Sequence, residues 1–178
     1  MYNRAMKKLL VLLALVPAFI SNQPQRTAAG LVTHDPSELK CLAVTVYGEA
    51  RGESEKGQIA VAYTVKNRAK TKSLCNVALA PKQYSIFNNN PELRAAAQSQ
   101  HIEPRQKNVI DQRSWERAVR VAQIVLHGLV PDPTNGATHY LAPKVMKVKR
   151  YRYPKWSKQY TLVSIINGHK FYKVGNNG

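Results

Sequence analysis

The stretch DPSELKCLAVTVYGEARGE, residues 35–53, decides how the chain folds. Asp35 supplies a capping side chain, Pro36 takes the first helical position and Glu38 follows the cap by three residues, a combination that starts a helix. Leu39, Leu42, Ala43, Val46 and Ala50 recur at helical spacing, which predicts a helix pressed into a core along one stripe. At about 100° per residue, Glu49 falls on the flank of that stripe and Glu53 near its centre. Gly52 is a natural helix stop, so Glu49 sits in the last turn, where orphan carbonyls carry partial negative charge. Helix end and partial burial both disfavour a carboxylate there, and an acid that keeps its proton near neutral pH is what general acid catalysis requires. Arg51 is rotated about 200° from Glu49 and points away from it. The same pattern arises where an acid merely caps or pairs with a cation, and spacing does not separate the two readings.

Downstream, Ser54 caps a second helix from Glu55 to Arg68, with Ile59, Val61, Ala62, Tyr63 and Val65 apolar. The turn at Gly52 brings the two helices together at an elbow that holds the acidic pair. Asn67 and Arg68 end the second helix, where position favours capping and solvation over reaching into a site. From Thr71 to Arg113 the pattern is weak, broken by Pro81, Asn88-Asn89-Asn90, Pro91 and Pro104, with a short helix expected over 92–100. Within this loop-rich stretch Gln83-Tyr84-Ser85 combines an amide, a ring and a hydroxyl, groups that hold a sugar and that equally pack a loop. A clearer helix runs from Ser114 to His127, with Trp115 at a core position and Gly128 as its stop. Residues 131–136 make a rigid turn into an extended segment, Ala137 to Tyr140. Finally, Tyr160–Ile166 and His169–Val174 are β-rich runs joined by Asn167-Gly168, a strong hairpin signal. The fold class is α+β, a mainly helical domain with a small late antiparallel hairpin or sheet.

The 178 residues suit one domain, and 27 Lys and Arg against 10 Asp and Glu give a formal charge of +17. Such an excess says nothing about fold but favours polyanionic partners. Past Asp132 no acid remains, while Lys144, Lys147, Lys149, Arg150, Arg152, Lys155 and Lys158 crowd together with Tyr151, Tyr153 and Trp156 between them. This basic stretch suits an anionic cell-envelope polymer or membrane surface; nucleic acid is not expected, and a monomer is. At the N-terminus Arg4, Lys7 and Lys8 precede an apolar run, Leu9 to Ile20, shorter than the roughly 20 residues that span a bilayer. Residues 1–30 therefore read as an export signal or signal anchor plus tether, and 31–178 as a single catalytic domain. Export would permit a disulfide between Cys41 and Cys75; otherwise the two are buried thiols.

Taken in series, several motifs resemble the cell wall hydrolase family typified by the spore cortex-lytic enzyme SleB. They include Tyr47-Gly48-Glu49-Ala50-Arg51-Gly52-Glu53, Gly57-Gln58, Asn67-Arg68, Cys75-Asn76-Val77, Gln83-Tyr84-Ser85, the run from Asp132 to Tyr140, Pro154-Lys155-Trp156 and His169-Lys170-Phe171-Tyr172. Tyr84 stands where the family usually has Phe, and the run between Tyr140 and Pro154 is unusually basic for it. The resemblance implies a lysozyme-like fold and cleavage of the β-1,4 bond between N-acetylmuramic acid and N-acetylglucosamine in peptidoglycan. It also implies a lytic-transglycosylase-like activity with Glu49 as the catalytic acid, and no metal or other cofactor. Glu53, Gln83, Tyr84, Ser85, Thr138, Tyr140, Trp156 and Tyr172 are the candidate substrate contacts, with Glu53 and Asp132 the acids available for a second role. A zinc amidase using Asp132, His139 and His169, and a binding protein without catalysis, are the alternatives.

Overall fold

The computed structural model describes residues 34–70, 72–99 and 109–175, and the export segment expected over 1–30 lies outside them. Helix α1, Pro36–Ala50, begins as its sequence dictates, with Asp35 Oδ1 accepting from the Ser37 amide at 2.8 Å. A stripe was the expectation, yet every residue from Cys41 to Tyr47 is buried. The reason lies in what surrounds it: α6, Val109–Leu126, is its most extensive neighbour, and α2, Glu55–Arg68, α3, Leu74–Ala78, α4, Ser85–Asn89, and α5, Pro91–Gln98, also pack against it. A helix with neighbours all round must be apolar all round. Thr45, the polar exception, returns its hydroxyl to the Cys41 carbonyl at 2.7 Å.

Helix α6 starts five residues before the expected Ser114, because the polar run ahead of it is helix-permissive and is reinforced by a Gln112–Glu116 side-chain bond of 3.0 Å. Trp115 packs edge-on against Tyr47, ring centres 5.9 Å apart, as a core residue. Ser54 caps α2 through the Gly57 amide, and Lys66 reaches from α2 to the Val125 and Leu126 carbonyls that end α6. Cys41 and Cys75 form a disulfide tying α1 to α3 across 34 residues of chain. Closing such a loop is worth about 3–4 kcal/mol.

The late elements form a three-stranded antiparallel sheet in the order β1-β3-β2: β1 His139–Leu141, β2 Thr161–Ile166 and β3 His169–Lys173. The β2–β3 turn places Asn167 and Gly168 both at positive φ, which explains the Asn-Gly pair. Between β1 and β2 lie a short helix α7, Pro143–Val148, and a 3-10 turn, Lys155–Lys158, neither with a buried residue. The sheet closes over its own small cluster of Ala60, Ala137, Ile166 and Phe171, distinct from the large helical core; Tyr140 packs against both. Among the described residues no helix is long and apolar enough to cross a membrane.

Candidate active site

The seam between helical core and sheet opens as a cleft of about 810 Å³. Glu49 projects into it from the last turn of α1. Its Oε1 accepts from the Ile86 amide at 3.0 Å and the Ser85 hydroxyl at 3.2 Å, and its Oε2 accepts from the Tyr140 hydroxyl at 3.0 Å. The carboxylate thus leaves the negative end of its own helix and faces the first amides of α4, a helix whose N-cap residue, Tyr84, supplies no side-chain cap. Gly48 makes the approach possible: a Cβ there would fall well inside contact distance of Ile86 Cγ1.

Each donor has a distinct origin. Ile86 and Ser85 belong to α4, a five-residue helix that the interrupted sequence pattern hid. Tyr140 comes from β1, 91 residues beyond Glu49. Burial, and then the negative charge of Glu49, push the Tyr140 phenol far above its ordinary range. It therefore keeps its proton at any working pH.

The cleft is lined by Glu49, Gln83, Tyr84, Ser85, Thr138, Tyr140 and Trp156, which the structure brings together. Glu53 and Tyr172 are not among its lining residues. Glu53 lies 3.9 Å from His169. Tyr172 shares a sheet face with its register partner His139 but is buried edge-on against Trp156, ring centres 5.4 Å apart, and the tryptophan lines the cleft in its place.

Asp132 is engaged elsewhere too. Burial alone would raise it, but the Thr134 hydroxyl and amide, Asn67 and the Gly136 amide all donate to it and hold it below its usual range. This turn fixes β1 against α2, since Asn67 also donates to the Ala137 carbonyl at 3.0 Å. His139 lies against Trp156 and Tyr160, and burial followed by the charge of Arg68 pushes it down to about 4. Asp132, His139 and His169 face three different surroundings, and among the described residues no group of three or more His, Cys, Asp or Glu side chains is placed to hold a metal.

Two cleft features escaped sequence reasoning. Arg68, read as a helix-end solvating residue, lines the cleft with its guanidinium over the Tyr84 ring, 5.8 Å from its centre. The basic stretch also lines the cleft, through Val145, Met146, Lys149, Tyr151 and Pro154.

A family description, cell wall hydrolase, matches residues 52–172. The chain belongs to that family. The match begins just past Glu49 and takes in Glu53, so the choice between the two acids falls to geometry, which places Glu49 in the cleft and Glu53 outside it. Among solved structures, this cell wall hydrolase is similar in fold to the catalytic domain of the germination-specific lytic transglycosylase SleB from Bacillus anthracis. The TM-score is 0.56 at 23% identity, over 80% of this chain and 98% of that one. The catalytic domain of the Bacillus cereus SleB protein gives 0.50 at 23% identity, over 80% of this chain and 94% of that one. The lysozyme-like α+β architecture expected from the sequence is the one observed. No curated protein matches the chain by sequence.

Proposed function

We propose that this cell wall hydrolase cleaves the glycan strands of peptidoglycan at the β-1,4 bond between N-acetylmuramic acid and N-acetylglucosamine, as a lytic transglycosylase. One observation carries the reading: Glu49 is the sole acid lining the cleft among the described residues, and donors from two other elements fix both its oxygens.

These donors assign the proton. The Ile86 amide can only donate, so Oε1 stays an acceptor, whereas the Tyr140 hydroxyl can turn from donor to acceptor. In this reading the proton that Glu49 gives is the one carried on Oε2. It passes to the glycosidic oxygen, the C1–O bond breaks, and the N-acetylglucosamine side leaves as an alcohol while the muramic ring passes through an oxocarbenium-like state. Glu49, now a carboxylate with Tyr140 donating to Oε2 again, takes the proton from the muramic 6-hydroxyl as that oxygen closes on C1. The product is a 1,6-anhydro end, formed without water. Hydrolytic glycosidases commonly use a second carboxylate, and among the described residues no acid besides Glu49 lines the cleft. A zinc amidase would need Asp132, His139 and His169 to converge, which their separate surroundings oppose. Mass spectrometry of muropeptides released from purified sacculi tests the reading. Ends lighter by one water relative to hydrolysed ends are expected; cut amide bonds with intact glycan would overturn it.

The same reading makes the protein an exported, monomeric enzyme with residues 1–30 as signal or anchor and 31–178 as its catalytic domain. The Cys41–Cys75 disulfide supports an oxidising destination. The exposed stretch around α7, with its cations beside Tyr151 and Tyr153, suits an anionic envelope polymer or membrane surface, and binding to it should weaken with salt.

A further inference from the structure

Arg68 has no place in the proton transfers above, yet its surroundings are unusual for an arginine. It ends α2 half-buried, lines the cleft, lies over the Tyr84 ring and is close enough to His139 to depress its protonation. The Tyr84 hydroxyl beside it is buried, facing Thr64 and Arg68 without closing a hydrogen bond of good geometry. Among the described residues no carboxylate lies within 4.0 Å of the Arg68 guanidinium. Glu49, the one acid in the cleft, has its oxygens occupied by Ser85, Ile86 and Tyr140. A partly desolvated cation costs free energy unless an anion meets it, and the tyrosine ring under the guanidinium holds its planar fork ready for one. Exposed Lys82 and Lys149 add positive charge along the cleft.

We propose that Arg68 is an anion subsite that takes a carboxylate carried by the glycan, so that the enzyme selects strands by the charge they bear beside the bond it cuts. This rests on the cleft being a glycan site. Two parts of peptidoglycan carry such a group: the lactyl arm of a muramic residue that has lost its peptide, and the first free carboxylate of an attached stem peptide. Either presents two oxygens to the two parallel N–H groups of a guanidinium.

Binding is measured in the Glu49→Gln background, where strands are held without being cut. The probes are peptide-free glycan strands, the same strands with lactyl carboxylates converted to methylamides, and peptide-bearing strands with free or amidated carboxylates. With Arg68 present, one charged probe should bind about 10- to 100-fold more tightly than its amidated partner, and which pair shows the difference identifies the source. Arg68→Gln should erase that difference while leaving the amidated strand's affinity in place, and Arg68→Lys should keep a smaller part of it. Equal binding of charged and amidated strands, or a uniform loss for all probes in Arg68→Gln, would overturn the subsite. Wild-type release of muropeptides from sacculi is read in parallel. Release without charge discrimination removes the subsite alone; no release and no binding removes the glycan reading with it.

Discussion

Helix α1 and the stretch from Pro143 to Lys158 border the same cleft and are built in opposite ways. Seven consecutive residues of α1 are buried, whereas α7 has no buried residue and Val148 is 82% exposed. In the proposed reaction one wall holds the single acid that gives its proton, and that wall is gripped from every side. The other, proposed to meet an anionic polymer, carries long cationic side chains that stay in water. Precision and adaptability are thus divided between the two walls.

The division can be attacked from either side, starting where the effect is largest. Glu49→Gln should lower turnover on sacculi by roughly 10²–10⁴-fold with an unchanged thermal midpoint, measured by muropeptide release and calorimetry. Equal activity would remove α1 from the chemistry. Reducing Cys41–Cys75 should cost about 3–4 kcal/mol in denaturant unfolding, because the lost bond anchors the buried wall. Tyr140→Phe deletes one charge-assisted hydrogen bond to Oε2, so turnover should fall roughly 10- to 100-fold while sacculus binding persists.

His139 gives a pH signature on the sheet side. Its folded value, about 4, lies below the ordinary 6.5, so between them the unfolded chain binds a proton that the folded one refuses. Stability is fully present above pH 6.5 and declines as pH falls toward 4; His139→Gln should flatten that decline in melts run across the window. Smallest of all, Val148→Ser on α7 should stay within about 0.5 kcal/mol of wild type, and a larger loss would mean that the exposed wall is not free of structural duty.

What the sequence disclosed follows the same line. Caps and glycine stops marked α1, α2 and the hairpin, since Asp35, Ser54 and Asn167-Gly168 each act within a few residues of themselves. Helices α3, α4 and α7 stayed hidden because five or six residues make too few turns to show a period. Position alone misplaced Arg68, because a cation at a helix end usually meets water. Tyr140 was chosen as a sugar contact, while its bond to Glu49 depends on strand docking that no local pattern encodes. Tyr172 fits the same sequence expectation, but Trp156 packs edge-on against its ring, a contact made across the chain that no local pattern encodes.

Gly48 has a consequence for how such an enzyme fails. Adding one methyl group there would drive a wedge between α1 and α4 and swing Ser85 and Ile86 off the acid, although no reactive atom had been removed. Inactivating lesions should therefore be found at a position with no chemistry of its own, and a survey confined to reactive side chains would pass over it.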